Sequence, residues 1–436
     1  MRIPKNRLGK LLGLILVLLV MASNTFIILN PNAFFWDVTI YKARTGERSY
    51  VFNGTISRAV LESYLSRAVT FSSFLRPDQT GINSEAINDN FRFIANTGAK
   101  FIGRAIFTWC DEISLLKNIN ISRQLAQRAH VQDPEMILQG AIFEAVSTQV
   151  NSIPIPAWVF HAYGLAPEAR NFSFTRMFDP GWKFINFWGQ NTTVPDMSKI
   201  ESRLWFFFIA AMYIDIGIEA LHLGQVADMT ANDPDQAGWR DMMQHVRAYA
   251  TIHARRHMVI CDAHVPNGGY LDGYNLLFDF HSFPLRPEDV LGEPQNASLA
   301  VGYIDSLYQR SKGGVTPSGW ACNSLPYLVE FDNFGDSDHP GQHVGWIYVW
   351  GYDEITWYAL QPENYRDAWL WYAVRWLEQN DPNGFLEMPG SRPLSIEING
   401  GQQYFANTAS ANMTNGFNQE ATIKSIWQQM PNFYLT

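Results

Sequence analysis

Glu330 and Asp332 close a short apolar run, Leu325 to Phe331, just before Asn333, Phe334 and Gly335. A carboxylate at the end of a buried strand is partly desolvated, and a desolvated Glu keeps its proton closer to neutral pH than a solvated one. Glu144 ends a second run of this kind, Met136 to Glu144. Two carboxyl groups about 5–5.5 Å or about 6.5–9.5 Å apart can cleave a glycosidic bond, as nucleophile with acid/base or as base with acid. Glu144 and Glu330 are the predicted catalytic pair. Residues 101–109 likewise run into Asp111 and Glu112. Residues 218–225 carry Glu219 and His222 and end in Gln225, 257–264 end in Asp262 and His264, and 384–388 carry Glu387. Gln225, Asp262, His264, Asp332 and Glu387 are therefore expected around the substrate, with Trp109 and Trp350 as faces for a sugar ring. The plainer alternative for any one of these acids is a solvated loop position.

The same residues offer a second chemistry. Asp262-Ala263-His264 and Asp279-Phe280-His281 repeat Asp-x-His, a spacing that puts both side chains on one face of a strand, where carboxylate and imidazole can share a cation. Asp262, His264, Asp279 and His281 form the alternative, a divalent-metal site. The loop Asp336, Asp338, His339 and His343 is a further set. The two-carboxylate chemistry needs no cofactor. The chain has no Gly-x-Ser-x-Gly elbow, Walker loop or Gly-x-Gly-x-x-Gly fingerprint, which argues against the common serine-hydrolase, nucleotide and dinucleotide chemistries.

Acids at strand ends require strands that all point one way. From residue 101 onward, apolar runs alternate with helical patterns at 121–130, 199–214, 238–255, 298–310 and 364–379, the signature of a parallel sheet with helical crossovers. The expected fold is α/β, a (β/α)8 TIM-like barrel with inserted loops; an open α/β sheet is the alternative. Helices are also expected at 57–74, 85–96 and 418–428. Runs 275–281 and 345–350 follow their predecessors too closely for a helical crossover, and 395–405 is a candidate for closing the barrel. The Pro- and aromatic-rich segment 147–197 is longer than a connector requires and is expected to form a lid or wall over the site. The expected organisation is 1–29 as a signal peptide or membrane anchor, 30–100 as an N-terminal lead-in with helices, and 101–436 as the catalytic barrel.

Arg2, Lys5, Arg7 and Lys10 precede the apolar run Leu11 to Val20, with Val20-Met21-Ala22 offering small-residue cleavage, as in an export signal. Extending the run through Leu29 gives the alternative of an uncleaved anchor, interrupted by Ser23, Asn24 and Thr25. Either way the protein is expected to be secreted or at the cell surface, touching a membrane only through that segment. Three cysteines, Cys110, Cys261 and Cys322, make no disulfide framework. The formal charge of −9 argues against a nucleic-acid partner, which would require a basic surface. With 15 Trp, 18 Tyr and 29 Phe, the chain has aromatic faces to spare for an oligo- or polysaccharide substrate after its core is filled.

Over residues 100–390 the chain resembles the glycoside-hydrolase type of (β/α)8 barrel. The resemblance rests on Glu144, Asp262, Glu330 and Glu387 at strand ends and on Trp109, Trp158, Trp346 and Trp350 in loops. It implies a hydrolase working with paired carboxylates. The Asn-Glu pair of the largest clan of such enzymes is absent from these strand ends. Asp215-Ile216-Gly217-Ile218-Glu219 is similar to the Asp-x-Asp-x-Glu strand of chitinase-like barrels, with Gly217 in place of the middle Asp. The Asp-x-His repeats look like the metal-binding strand ends of xylose-isomerase-like barrels. A non-catalytic carbohydrate-binding barrel would use the same aromatics.

Overall fold

A computed structural model describes residues 48–293, 295–301, 310–333, 342 and 350–429. The expected signal or anchor, the loop acids Asp336 and Asp338 with His339 and His343, Trp346 and most of the expected helix 298–310 lie outside the described residues. No helix among the described residues is long and apolar enough to cross a membrane.

The described chain opens with α1 (Arg58–Leu65), whose N-cap Ser57 accepts a hydrogen bond from the Val60 N–H. β1 (Ala68–Phe71) follows after one turn. The helix expected over 57–74 is thus cut short. β-Branched Val69 and Thr70, together with Phe71, favour a strand, and Ala68–Thr70 pairs in register with 101–103. α2 (Ser84–Thr97) is capped by the Asn83 side chain and ended by Gly98 in the left-handed region, at φ 76°. Next come β2 (Phe101–Thr108), α3 (Glu112–Gln132), β3 (Ile137–Ile142), α4 (Ile200–Asp215), β4 (Ala220–Gln225), α5 (Ala237–His253) and β5 (Ile260–His264). β6 (His281–Pro284) and β7 (Tyr327–Glu330) precede α6 (Glu354–Leu360), α7 (Glu363–Asn380), β8 (Gly384–Leu386), β9 (Met388–Ile398), β10 (Gly401–Phe405) and α8 (Glu420–Gln429).

These strands form one ten-stranded sheet in the order β8-β7-β6-β5-β4-β3-β2-β1-β9-β10. Every pairing from β8 through to β9 is parallel, and β10 returns antiparallel on β9. Only Glu387 separates β8 from β9, yet the two pair at opposite ends of the order, Phe385 with Leu328 and Met388 with Val69. The sheet is accordingly curled. Residues 395–405, expected as a closing strand, form the hairpin at its edge instead. The run 275–281 contributes a two-residue antiparallel excursion, 275–276 on 271–272, and the sheet strand begins only at His281. Of 345–350, only Trp350 is described.

Side chains alternate along each strand, and the packing divides accordingly. Ala68, Phe101, Ile137, Ala220, Ile260, Phe280, Leu328 and Phe385 gather in one buried cluster with Val60, Leu61, Tyr64 and Leu65 of α1. Their chain neighbours Val69, Ile102, Leu138, Leu221, Cys261, Val329 and Leu386 belong to a second, larger core with the outer helices. α1 thus plugs the amino end of the sheet. Each fully buried Val, Leu, Ile, Phe or Met side chain of these cores is worth about 1.5–3 kcal/mol relative to exposure.

Candidate active site

Two residues beyond Ala68, Phe101, Ile137, Ala220, Ile260, Phe280, Leu328 and Phe385 stand Thr70, Gly103, Gln139, His222, Asp262, Ser282, Glu330 and Glu387, a second layer on the same face of the sheet. This layer is polar and buried. Asp262 accepts from Gln139 Nε2 at 2.7 Å through Oδ1, while its Oδ2 takes the Ser282 hydroxyl and lies 2.8 Å from His222 Nδ1. Glu330 Oε1 is shared by the Arg104 guanidinium and His264 Nε2, the latter at 2.9 Å, and Arg392 holds Oε2 at 3.0 Å. No methyl group fits at position 103, where it would overlap Glu387 Oε1. The glycine lets Glu387 cross above β2.

Two irregularities turn extra groups inward. Pairing of β2 with β3 shifts between Ile102 and Ile106, and within that shift Arg104 takes a left-handed conformation, φ 54°. A bulge of this kind re-aims a side chain, and here it swings a guanidinium into the interior. β4 slips between His222 and Gln225, with Gly224 at φ 62°, where a methyl group would strike Glu144 Oε2. The slip presents the Gln225 N–H to Glu144 Oε2 at 2.8 Å.

Above the layer lies a cavity of about 830 Å³ at the carboxyl ends of the strands. Trp109, Phe143, Phe187 and Trp188 wall one side, and Glu144, Gln225, Asp228, His264, Asp332, Arg104, Arg286 and Arg392 supply polar groups. Phe187 and Trp188 come from the segment 147–197, which therefore forms a wall of the cavity. Glu201 of α4 anchors that segment through both Arg170 amino groups at 2.8 and 2.9 Å, and Trp188 Nε1 donates to the Glu144 carbonyl at 3.1 Å.

The structure brings Glu144, Gln225, His264, Asp332 and Trp109 to the cavity and sets Glu330, Asp262 and Glu387 in the layer beneath it. Glu144 and Glu330 are linked through two residues, since Gln225 Nε2 lies 3.0 Å from His264 Nδ1 and so joins the two contacts already given. Trp350 is half-buried against the outer core and does not line the cavity. The alternative metal quartet is not assembled. Asp262 and His264 face inward, whereas Asp279 accepts from Arg247 of the outer helix α5 at 3.0 Å and from the Cys261 N–H, and His281 pairs with Ser311. Phe280, between them, takes the inward position, its ring packed edge-on against Phe101 with centroids 5.7 Å apart.

Arg104, Gln139, Arg286 and Arg392 belong to the site and were not singled out from the sequence, and His222 was noted there only as a polar residue inside the run 218–225. Arg104 carried a signal, being a charge in the middle of an apolar run; Arg286 and Arg392 carried none.

Their charges divide the acids. Burial raises the Glu144 carboxyl above the ordinary carboxylate range, opposed mainly by the Gln225 N–H. Burial pushes Asp262 up to about 7. Glu387 is raised as well, by burial and then by the charge on Glu330. Burial would also raise Glu330, but Arg104, the His264 hydrogen bond and Arg392 overcome it and hold that carboxyl below the usual range. Asp332 is lowered in the same sense, with Arg286 the largest counterweight to burial, at 3.2 Å.

No family model matches the chain, and no curated protein matches it. Among solved structures it is similar to the acarbose-soaked debranching enzyme of Nostoc punctiforme (12% identity, TM-score 0.38, 80% of this chain and 72% of that one). It is also similar to the isomaltodextranase of Arthrobacter globiformis T6 complexed with panose (11%, 0.33, 74% and 48%) and to the β-1,4-D-mannanase of Cryptopygus antarcticus (10%, 0.29, 79% and 84%). The chain spans about half the length of the isomaltodextranase and of a second structure of the debranching enzyme, at 48% and 50%.

Proposed function

We propose that this protein is a carbohydrate-active hydrolase that cleaves glycosidic bonds in the cavity at the carboxyl ends of its parallel strands. One observation carries the reading: two carboxylates, Glu144 and Asp332, line a single aromatic-walled cavity in opposite surroundings. Glu144 is buried beside Phe143 with the Gln225 N–H on Oε2, and Asp332 is paired with Arg286. Titratable groups whose environments push them apart mark an acid and its ionised partner. Glu144 is the proton donor to the leaving oxygen. Asp332, with Glu330 behind it, supplies the opposing negative charge, and Trp109 and Trp188 offer indole faces to the sugar rings. Hydrolysis of this kind runs without a metal. The pairing of 384–391 with β7 on one side and β1 on the other supports a closed (β/α)8 barrel, and the basic-then-apolar amino terminus supports export towards an extracellular oligo- or polysaccharide.

The test is reducing-end release from a panel of plant, algal and microbial glycans, run with the wild type and with Glu144→Gln. Release by the wild type, reduced by roughly 10²-fold or more in the variant, is expected. Binding without release on every glycan would make the protein a carbohydrate-binding barrel instead.

A further inference from the structure

His222, His264 and Glu330 each bring one donor atom to within 4.8 Å of the others beneath the cavity floor. His222 is 2% exposed, and its Nε2 has no hydrogen-bond partner among the described residues. A buried ring nitrogen left bare costs about 1–3 kcal/mol unless something occupies it. The other ring nitrogen is fixed: Nδ1 faces Asp262 Oδ2 at 2.8 Å, and Asp262 is itself held by Gln139 and Ser282. His264 is steered in the same way, its Nδ1 lying 3.0 Å from the Gln225 carboxamide. Imidazoles that ligate metals are oriented by such partners on the far nitrogen, with a carboxylate the commonest strong one.

We propose that His222 Nε2, His264 Nε2 and one Glu330 oxygen bind a single divalent transition-metal ion. Two imidazoles and one carboxylate suit zinc, iron(II) or cobalt(II) and disfavour calcium or magnesium, which take oxygen. Bonds of about 2.0–2.2 Å set neighbouring donors roughly 3.3–3.6 Å apart, so His264 Nε2 and Glu330 Oε1, 2.9 Å apart, part by about half an ångström while His222 draws in towards them. His264 now directs Nε2 at Glu330. On binding, its ring proton resides on Nδ1 instead, where the Gln225 carboxamide accepts it through oxygen after its amide group turns over. Arg104 shares Glu330 Oε1 and is the competing cation, whereas Arg392 keeps the other oxygen. Three protein ligands leave a fourth position for water or a substrate oxygen. The inference does not depend on the hydrolase reading.

Chelator-stripped full-length protein titrated with Zn²⁺ and with Co²⁺, followed by calorimetry, elemental analysis and the cobalt absorption spectrum, tests it. One ion per chain with a nitrogen-containing coordination spectrum is expected, and His222→Ala should lose it. Arg104→Met, which removes the competitor, should tighten binding by about tenfold or more, an effect that a merely damaged fold would not give. Failure of the wild type to bind one equivalent overturns the proposal. So does binding that neither variant alters, which would be an adventitious ion only. Because stoichiometry is the readout, failure here leaves glycan hydrolysis standing.

Discussion

The inner face of the sheet carries two layers of opposite character on the same strands. Towards the amino ends, Phe101, Ile137, Ile260, Phe280, Leu328 and Phe385 pack with α1; two residues further on, Gln139, His222, Asp262, Ser282, Glu330 and Glu387 form a buried polar layer. Two residues of strand amount to only about 6.6 Å. Over that distance the lower layer gains free energy from removing apolar area from water, while the upper layer loses solvation and recovers it through paired charges and hydrogen bonds. The comparison assigns stability to the lower layer and chemistry to the upper, and it can be broken at either level.

The largest effect is expected from Phe101→Ala. It removes a ring packed edge-on against Phe280 and should cost about 3–5 kcal/mol, read as a lower urea midpoint, while turnover per folded molecule is retained. Loss of turnover at unchanged stability would end the division of labour. Glu144→Gln should do the reverse, lowering glycan turnover by roughly 10²-fold or more with little movement of the midpoint.

The pH dependence sharpens the contrast. Because burial raises Glu144, its protonated form persists above the ordinary carboxylate range, and kcat/KM should fall as pH rises through that raised value. A rate profile of the wild type should show this alkaline limb, and the residual activity of Glu144→Gln should lack it. Glu387 makes a prediction about stability rather than rate. Its folded-state pKa lies above the unfolded value of about 4.3, so its contribution is fully present below that value and is lost as pH rises through the folded one. Urea unfolding at a series of pH values should show that loss in the wild type and a flatter profile in Glu387→Gln; equal slopes would mean that Glu387 is ionised in the fold. The smallest effect belongs to the aromatic wall. Trp109→Ala should raise KM by a factor of about 2–10, equivalent to about 0.5–1.5 kcal/mol, with kcat nearly unchanged.

Much of the upper layer was legible in the chain because strand alternation is a local property. Glu330, Asp262, His264 and Glu387 could be set at strand ends from their own neighbours, and the segment 147–197 stood out by its length and its Pro and aromatic content. β1 was not legible. Its four residues continue a helical pattern, and only pairing with β2 on one side and β9 on the other makes them a strand. β6 was displaced by a few residues for a similar reason: 275–281 and 281–284 are both apolar enough, and the register against β5 and β7 chooses between them.

By itself, then, the sequence determined which residue types end the strands, the alternation that places them on one face, and the acidic, aromatic-rich character that disfavours a polyanionic ligand. Tertiary structure alone decided which acids share a cavity and which of them keep a proton. Glu330 is separated by 226 residues from Arg104 and by 62 from Arg392, and Glu144 by 81 from the backbone N–H that it accepts. No local pattern encodes such distances. A carboxyl group's protonation depends on the charges and solvent within a few ångströms, and in a curled parallel sheet those neighbours come from strands far apart in the chain.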